Sequence, residues 1–243
     1  MKKTIKPYQL LAALYDAGEW GQFSLRYLHL LDILSKKYNF NPHLIIDAAC
    51  GTGILAGELH ERNYKVLGVD VSLEMIEVAR RKNPNIQLYV EDIRFMKLGM
   101  EADLITCVFD SINYLLDEAQ LSQACQNIHK HLKHEGYFLF DFNTPAHYEK
   151  NSPFMIDQDI EGKKFKHTGE YNKERRIAKI TFDFGNGGIE EHIQRAYTRE
   201  EVTSQLSKSG FRVLEVFQDF ELTPPNETSE RIFFLAQKIG HRK

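Results

Sequence analysis

The stretch that decides the fold is Ile45-Ile46-Asp47-Ala48-Ala49-Cys50-Gly51-Thr52-Gly53-Ile54-Leu55-Ala56, residues 45–56. A short apolar run ends in an acidic residue, a tight turn of small residues follows, and an apolar helix then begins. Gly51 and Gly53 remove side chains where the backbone must turn sharply, and they let a ligand approach closely. A second acid, Asp70, ends another apolar run about twenty residues later, where a nucleotide ribose requires a carboxylate. Together these features indicate an adenosine-type cofactor at the carboxyl ends of parallel strands.

The acid inside the turn favours a cationic cofactor. Dinucleotide enzymes place a glycine-rich turn at a helix N-terminus, so that backbone N–H groups and the helix dipole meet a pyrophosphate. Here Asp47 precedes Gly51 within the same turn, and a carboxylate there repels a pyrophosphate but attracts an ammonium group. S-adenosylmethionine carries both an α-ammonium and a sulfonium, so the sequence favours it over NAD. The alternative is that the glycines mark only a strand-to-helix turn.

Five segments carry a resemblance to the class I S-adenosylmethionine-dependent methyltransferases. Asp47-x-Ala49-Cys50-Gly51-Thr52-Gly53 resembles their first motif, and Gly68-Val69-Asp70-Val71-Ser72-x-x-Met75 resembles their second. The other similar segments are 91–94, 103–114 and 132–143. The resemblance covers residues 8–143 closely and the remainder loosely, and it is nearest to bacterial small-molecule enzymes, including glycine and amino-sugar N-methyltransferases. It implies S-adenosylmethionine as cofactor and S-adenosylhomocysteine as product, and it leaves the methyl acceptor open.

Hydrophobic patterning predicts the fold class. Apolar runs predict seven strands at 44–48, 65–70, 86–90, 103–109, 136–142, 211–218 and 231–237. Helical patterns lie between the first six, most clearly at 53–62, 72–82, 118–133 and 199–209. This alternation predicts an α/β fold with a doubly wound, mostly parallel sheet. The loop Pro224-Pro225-Asn226-Glu227 is too short for a crossover helix, so we expect the last strand to be antiparallel. The family resemblance implies the strand order 3-2-1-4-5-7-6.

Two segments lie outside the alternation, within one methyltransferase domain that we expect to span 1–243. Residues 1–40 form a predicted N-terminal helical cap, with helical apolar spacing at 7–17 and 22–37. Residues 144–198 show no convincing helix but contain strand-like runs at 154–160, 163–171, 176–184 and 188–197. We interpret this segment as an antiparallel β insertion over the carboxyl ends of the sheet, acting as a substrate lid. An edge extension or a dimer surface is the alternative.

Composition limits the classes of partner and the compartment. The 243-residue chain has a net charge of −3, whereas a dedicated polyanion binder usually shows a basic stripe. The lysines and arginines between 163 and 179 alternate with glutamates, which is typical of a solvated face. No apolar run approaches about 18 residues and no signal-peptide core is present, so we expect a cytoplasmic protein without membrane contact, as a monomer or homodimer. Three cysteines without metal-ligand spacing predict reduced thiols and no metal site.

The ends of the second and third strands supply the adenosine-binding candidates. Asp70 is expected to accept hydrogen bonds from the ribose hydroxyls, although a carboxylate here can instead cap a helix, a position that Ser72 fits better. Val71 and Met75 would enclose the adenine, with a core position equally open to Met75. The family pattern further implies that Asp92 accepts from the adenine amino group, and that the Ile93 N–H meets a ring nitrogen.

The remaining cofactor candidates surround the charged end of the cofactor. Related enzymes cover the cofactor with an N-terminal segment, and aromatic faces stabilise a cation by roughly 0.5–2 kcal/mol. Tyr15, followed by Asp16, fits this usage best, whereas ordinary packing is as plausible for Tyr8 and Trp20. Phe109 is expected to line the sulfonium end. The complete predicted set is Tyr8, Tyr15, Trp20, Asp47, Ala49, Gly51, Gly53, Asp70, Val71, Met75, Asp92, Ile93 and Phe109.

Candidates for the acceptor side are fewer. The loop after the fourth strand should lie beside the reacting methyl, so Asp110, Asn113 and Tyr114 are predicted to line the substrate. In 190–197, period-two alternation places Glu190 and His192 on one face, where His192 would act as a proton acceptor near neutral pH. A structural or surface histidine is the alternative. The loop lacks the Asn/Asp-Pro-Pro-aromatic sequence of many base-amino methyltransferases, which argues against a nucleic-acid acceptor.

These features predict an S-adenosylmethionine-dependent methyltransferase acting on a small-molecule acceptor, with N-methylation favoured over O-methylation. The alternatives are methylation of RNA or protein, a non-catalytic S-adenosylmethionine-binding subunit, and a dehydrogenase. Positioning can lower the barrier of an in-line displacement by about 7–11 kcal/mol, against roughly 3–5 kcal/mol from a general base. A methyltransferase therefore needs no sharp catalytic motif, which explains why the cofactor motif is clear and the acceptor site is not.

Overall fold

The computed structural model describes residues 2–18 and 20–240, which form two sheets with helices around the larger one. The strands are β1 (Thr4–Ile5), β2 (Leu44–Ala48), β3 (Lys65–Asp70), β4 (Gln87–Val90), β5 (Ala102–Cys107), β6 (Leu132–Asn143), β7 (Phe154–Ile160), β8 (Lys163–Asn172), β9 (Ile177–Asp183), β10 (Ile189–Arg195), β11 (Phe211–Phe217) and β12 (Arg231–Lys238). The α-helices are α1 (Arg26–Tyr38), α2 (Ile54–Glu61), α3 (Leu73–Lys82), α4 (Glu118–Lys130), α5 (Pro145–Asn151) and α6 (Arg199–Lys208).

The larger sheet has seven strands in the order β11-β12-β6-β5-β2-β3-β4. From β4 to β6 all pairings are parallel, and β12 is antiparallel to both β6 and β11. Counted along the larger sheet alone, this is the order 3-2-1-4-5-7-6 with an antiparallel last strand, so both predictions are confirmed. The order in which strands are added to the sheet reverses at β2, between β3 and β5, which is where ligands bind in doubly wound sheets.

Successive residues of the central strands face opposite sides of the sheet, and each side has its own core. One core includes Ile46 and Ile105 together with buried residues of α4 and α6. The other includes Ile45 and Leu104 together with buried residues of α1, α2 and α3. Because both faces are covered, the strands are nearly continuous apolar runs, which is why their bounds could be predicted closely. Within the described residues, no helix is long and apolar enough to cross a membrane.

The smaller sheet has five strands in the order β1-β10-β9-β8-β7. The four predicted strands of the insertion form an antiparallel meander, and β1 adds to it in parallel with β10. The prediction of no helix in 144–198 was wrong, because α5 lies in this segment, between β6 of the larger sheet and β7 of the smaller one. Its signals were Thr144 at the N-cap and Pro145 in the first turn, where the missing proline N–H costs no helical hydrogen bond.

The helix predicted over 7–17 was also wrong. The segment contains only a 3₁₀ turn at Leu11–Leu14, preceded by Tyr8 with a left-handed φ of 65°. The physical reason is a distant carboxylate, since Glu190 accepts hydrogen bonds from backbone N–H groups of this segment. The second predicted helix, over 22–37, begins as a 3₁₀ helix at Trp20–Leu25 and continues as α1.

Candidate active site

The glycine-rich turn after β2 leaves open space beside its backbone. Ala49, Gly51 and Gly53 all have positive φ values, of 59°, 55° and 74°. A Cβ at Gly51 would meet no atom within 4 Å, whereas one at Gly53 would lie 2.8 Å from Asn83 Nδ2. Gly53 therefore allows the turn to pack against the end of α3, and Gly51 presents bare backbone to the space above the sheet.

Asp70 joins this turn to the start of α3. Its carboxylate accepts hydrogen bonds from Gly51 N and from Ser72 N, each at 2.8 Å. Burial raises the pKa of Asp70, and these backbone hydrogen bonds act in the opposite direction. The helix cap itself is Ser72, whose side chain accepts from Met75 N at 3.2 Å. The Asp70 carboxylate thus lies at the carboxyl end of β3, where the glycine turn and the start of α3 meet.

Asp47 is more deeply buried than Asp70 and lies in β2, the strand at which the strand order reverses. It is 1% exposed and accepts a hydrogen bond from Thr106 Oγ1 at 2.8 Å. Burial raises the pKa of Asp47 to about 7, and the Asp70 carboxylate adds to the shift. A buried carboxyl that is poised near neutrality, with one hydrogen-bond partner, is suited to respond to an approaching cation.

The predicted adenine contacts differ strongly in exposure. Val71 is 68% exposed at the end of β3, whereas Met75 is 2% exposed and Ile93 belongs to the core. Asp92 is bound by Arg94 through several hydrogen bonds. Burial alone would raise the pKa of Asp92, but the Arg94 hydrogen bonds hold it below the usual value. Of these four, Val71 is the apolar side chain most open to a ligand.

The N-terminal segment connects the glycine turn to the smaller sheet. Asp16 accepts a hydrogen bond from Thr52 Oγ1 at 2.6 Å, within the turn. The Tyr15 ring lies 6.1 Å from that of Tyr8 and 5.8 Å from that of Trp20. Trp20 in turn packs edge-on against Phe182 of β9. The three aromatic side chains predicted to cover a cofactor are therefore neighbours in one cluster.

The loop after β5 is held in an unusual conformation by a residue that sequence reasoning missed. Phe109 and Asp110 have φ values of 60° and 51°. Asp141, fully buried on β6, accepts from their backbone N–H groups at 2.6 and 3.0 Å, and also from the Tyr27 hydroxyl and Arg231. The available signal was an acid inside the apolar run of 136–142, because unpaired charges are rarely buried.

The predicted acceptor-side residues fall into different roles. Asn113 is fully buried, and its amide binds the backbone N–H and C=O of Asn143. His192 is 2% exposed; its Nδ1 lies 2.8 Å from the Tyr114 hydroxyl and its Nε2 lies 3.3 Å from a Glu190 oxygen. Asn113 therefore fixes the end of β6, and His192 is linked to the loop through Tyr114.

A cavity of about 270 Å³ lies between the loop after β5 and the smaller sheet. Gln194 crosses it, donating to Asp110 Oδ2 at 2.9 Å and accepting from the Tyr148 hydroxyl at 3.0 Å. Arg231 donates to the other oxygen of Asp110 at 2.8 Å. The lining residues are Phe109, Asp110, Asn143, His147, Tyr148, Asn151, Ser152, Phe154, Gly169, Glu170, Ala178, Ile180, Gln194 and Arg231. Most of this lining, including Gln194 and Arg231, was not predicted, because it comes from strands distant in sequence.

Comparison with known proteins decides the family. Residues 45–136 match the family model described as "Methyltransferase domain". The protein named "Putative methyltransferase" of Geobacillus sp. (strain WCH70) is 32% identical over 214 residues, covering 80% of this chain and 84% of that protein. The chain belongs to the class I S-adenosylmethionine-dependent methyltransferases. The predicted enzyme class and cofactor, S-adenosylmethionine, are therefore confirmed.

Two further similarities concern a named enzyme and a solved structure. A dTDP-3-amino-3,6-dideoxy-alpha-D-glucopyranose N,N-dimethyltransferase of Streptomyces fradiae is 30% identical over 133 residues, which are 54% of this chain and 52% of that enzyme. The crystal structure of an S-adenosylmethionine-dependent methyltransferase from Clostridium acetobutylicum ATCC 824 superposes with a TM-score of 0.77 at 24% identity, covering 96% of both chains. The latter similarity shows the fold, and the bare backbone at Gly51 beside the Asp70 carboxylate fits a bound nucleoside.

Proposed function

We propose that this methyltransferase methylates an amine of a small molecule held in the 270 Å³ cavity. The cavity carries the proposal, because it is closed on one side by the smaller sheet and its volume suits a small metabolite rather than a macromolecular surface. The sugar N,N-dimethyltransferase relatives support nitrogen as the acceptor atom. The 144–198 insertion, which supplies ten of the fourteen lining residues, would then act as the substrate lid.

The charges of the cavity also favour an amine. Asp110 and Glu170 contribute two carboxylates to the lining, and the positive charge of Arg231 is shared between Asp110 and Asp141. Burial lowers the pKa of His147, so this lining residue is neutral at neutral pH. The carboxylates of the cavity and of Asp141 therefore outnumber the one positive charge of Arg231. This excess of negative charge attracts an ammonium or a molecule rich in hydrogen-bond donors.

When bound, S-adenosylmethionine supplies a methyl group on a sulfonium. We assign its ribose to Asp70, its amino-acid end to Asp47 and the backbone of the Ala49–Gly53 turn, and its adenine to Val71, Met75, Asp92 and Ile93. Tyr8, Tyr15, Trp20 and Phe109 would cover the charged centre, where aromatic faces stabilise a cation. Asp110 and Tyr114 would face the acceptor, while Asn113 positions the end of β6. Orienting the two reactants in this way supplies the larger part of catalysis.

The acceptor class is tested with matched pairs of small molecules. Purified protein and S-adenosylmethionine are incubated with glucosamine or glucose, and with ethanolamine or ethylene glycol, and release of S-adenosylhomocysteine is measured. We expect turnover with the amines alone. Methylation confined to the alcohols, or incorporation of methyl groups into total tRNA or protein instead, would contradict the proposal.

Gly169→Ala should weaken acceptor binding selectively. A Cβ at Gly169 would lie 2.0 Å from Cε1 of Phe154, so the ring must move, and Phe154 lines the cavity. Overpacking of this kind typically costs about 1–3 kcal/mol, so the KM of the acceptor should rise about tenfold while cofactor affinity is unchanged. Gly187→Ala, in the turn that joins β9 to β10 of the same sheet, is the control, because a Cβ there meets no atom nearer than 3.3 Å. An unchanged acceptor KM in Gly169→Ala would argue against this cavity.

Cofactor affinity should increase between about pH 6 and pH 8. The pKa of Asp47 is about 7 without a cofactor, and a nearby ammonium group favours the ionised carboxylate and lowers that pKa. Binding must therefore release a proton from Asp47 at low pH, which weakens affinity there, whereas above pH 7 the carboxylate is already ionised. Titration calorimetry with S-adenosylhomocysteine in buffers of different ionisation enthalpy measures this release. Asp47→Asn should abolish it, and equal wild-type affinities at both pH values would remove Asp47 from the ammonium site.

A further inference from the structure

Glu190 is a buried carboxylate with an unusual set of partners. It is fully buried, and one oxygen accepts from Leu10 N and Leu11 N, while the other accepts from Tyr8 N at 2.8 Å. Three backbone donors stabilise the ionised carboxylate, which can only accept hydrogen bonds. His192 Nε2, 3.3 Å from the second oxygen, must therefore carry the proton in this contact.

The proton on His192 Nε2 determines the donor and acceptor at each step of a longer hydrogen-bond chain. If His192 Nε2 carries the proton of the neutral ring, Nδ1 is an acceptor. It then accepts from the Tyr114 hydroxyl at 2.8 Å, and the Tyr114 oxygen accepts from the Tyr8 hydroxyl at 2.7 Å. The chain runs from Tyr8 through Tyr114 and His192 to Glu190, and it leaves the Tyr8 oxygen free to accept one more proton donor.

The free end of the chain lies between the two halves of the site. On one side, the Tyr8 ring lies 6.1 Å from that of Tyr15 in the aromatic cluster. On the other side, its hydroxyl contacts Tyr114, which belongs to the 3₁₀ turn that begins directly after Asp110. The Tyr8 ring is held edge-on to His192 with centroids 4.6 Å apart. Its backbone is fixed at a φ of 65° by the hydrogen bond to Glu190. Left-handed conformations of non-glycine residues cost free energy and concentrate at functional sites.

We propose that Tyr8, Tyr114, His192 and Glu190 form a proton relay that deprotonates the methyl acceptor. The inference rests on the proposed function, because it requires an amine that arrives as an ammonium. The ammonium N–H bond breaks as its proton passes to the Tyr8 oxygen, the Tyr8 proton passes to Tyr114, and the Tyr114 proton passes to His192 Nδ1. The product is a neutral amine with a free electron pair, and an imidazolium paired with the Glu190 carboxylate. Tyr8 lies outside the cavity lining, so the amine would have to extend from the cavity to the Tyr8 hydroxyl, and the other three residues act through Tyr8.

The surroundings of His192 suit this role. Burial raises the pKa of both Tyr8 and Tyr114 well above the usual value, so both stay protonated and conduct protons without ionising. The other titratable neighbour across the sheet is His167, whose pKa burial lowers to about 4, so it is neutral and does not compete with the imidazolium. Phe182 packs against both histidine rings, with its centroid 4.3 Å from that of His167 and 5.1 Å from that of His192.

Conservative variants test the relay by its kinetics. Tyr8→Phe, Tyr114→Phe and His192→Gln should each lower kcat/KM for an accepted amine by about 10²-fold at pH 7, the typical contribution of a general base. Because the groups act in series, Tyr8→Phe/Tyr114→Phe should be no worse than either single variant. The loss should shrink at about pH 9.5, where more of the amine arrives neutral. Tyr38→Phe, which removes a hydrogen-bonded hydroxyl far from the site, should retain full activity.

Losses that multiply in the double variant, or that are equal at both pH values, would overturn the relay and leave these residues structural. Failure of wild-type protein to methylate any amine would instead contradict the proposed function. A measurement that needs no acceptor completes the test, namely long-range ¹H–¹⁵N correlation of the histidine rings in the complex with S-adenosylhomocysteine. The relay predicts His192 protonated on Nε2 alone, and protonation on Nδ1 alone would overturn it.

Discussion

Asp141→Ala should lower the free energy of unfolding by about 3–5 kcal/mol, the usual cost of removing one partner of a buried ion pair. The Asp141 carboxylate is fully buried and accepts hydrogen bonds from two backbone N–H groups, the Tyr27 hydroxyl and Arg231. Without it, Asp110 is the one counter-ion that remains to Arg231 among the residues that the structure describes. The left-handed conformations of Phe109 and Asp110 also lose the hydrogen bonds that hold them, so methyl transfer should fall as well.

Urea denaturation measures the loss, with Asp32→Ala as the matched control. Asp32 is paired with Arg62 at the surface, where both side chains are more than 40% exposed, and such pairs contribute about 0–1 kcal/mol. Asp141→Asn should be intermediate, because the amide keeps one acceptor oxygen but brings an N–H₂ group towards other donors. Equal destabilisation by Asp141→Ala and Asp32→Ala would mean that Asp141 does not organise the loop.

Asp70→Ala should weaken S-adenosylhomocysteine binding by about 10–100-fold. This corresponds to about 1.5–3 kcal/mol, the range for hydrogen bonds to a charged group. Two effects combine: the ribose hydroxyls lose their assigned acceptor, and the backbone N–H groups of Gly51 and Ser72 lose the carboxylate that orders the turn. Since the turn is where the ligand approaches the backbone, its disorder and the missing acceptor affect the same binding step.

Titration calorimetry separates these effects from general instability, with Ser72→Ala as the control. Ser72 caps α3 through its side chain, so its replacement should cost about 1 kcal/mol of stability and little cofactor affinity. Asp70→Asn keeps the shape of the side chain but directs an amide group at a backbone donor, and it should bind almost as weakly as Asp70→Ala. Wild-type affinity in Asp70→Ala would exclude Asp70 from the cofactor site.

The features of the fold that depend on local sequence patterns could be predicted from the sequence. The bounds of β2 and β3 were predicted to the residue, because strands buried on both faces form continuous apolar runs ended by turn residues. The glycine turn was predicted because it needs residues without side chains at fixed spacing, whereas the role of Asp70 in binding a ribose stays a prediction. The antiparallel β12 followed from the length of a single loop.

Contacts between distant residues could not be predicted in this way. The 7–17 segment has helical spacing of its apolar residues. Glu190, which is 180 residues from Leu10, nevertheless accepts hydrogen bonds from backbone N–H groups of this segment. Arg231 and Asp141 form one ion pair from two strands whose pairing is known only in the folded chain. The alternation of 190–197 correctly placed Glu190 and His192 side by side, but it could not show that hydrogen bonds link His192 to Tyr114 and Tyr114 to Tyr8.

We infer that the methyl acceptor is bound in the cavity between the loop after β5 and the smaller sheet. A crystal structure of the complex with S-adenosylhomocysteine tests it most directly. We expect the ribose at Asp70 and the sulfur next to Tyr8 and Asp110, facing the 270 Å³ cavity. A sulfur atom that points away from this cavity, or is separated from it by packed side chains, would contradict the account.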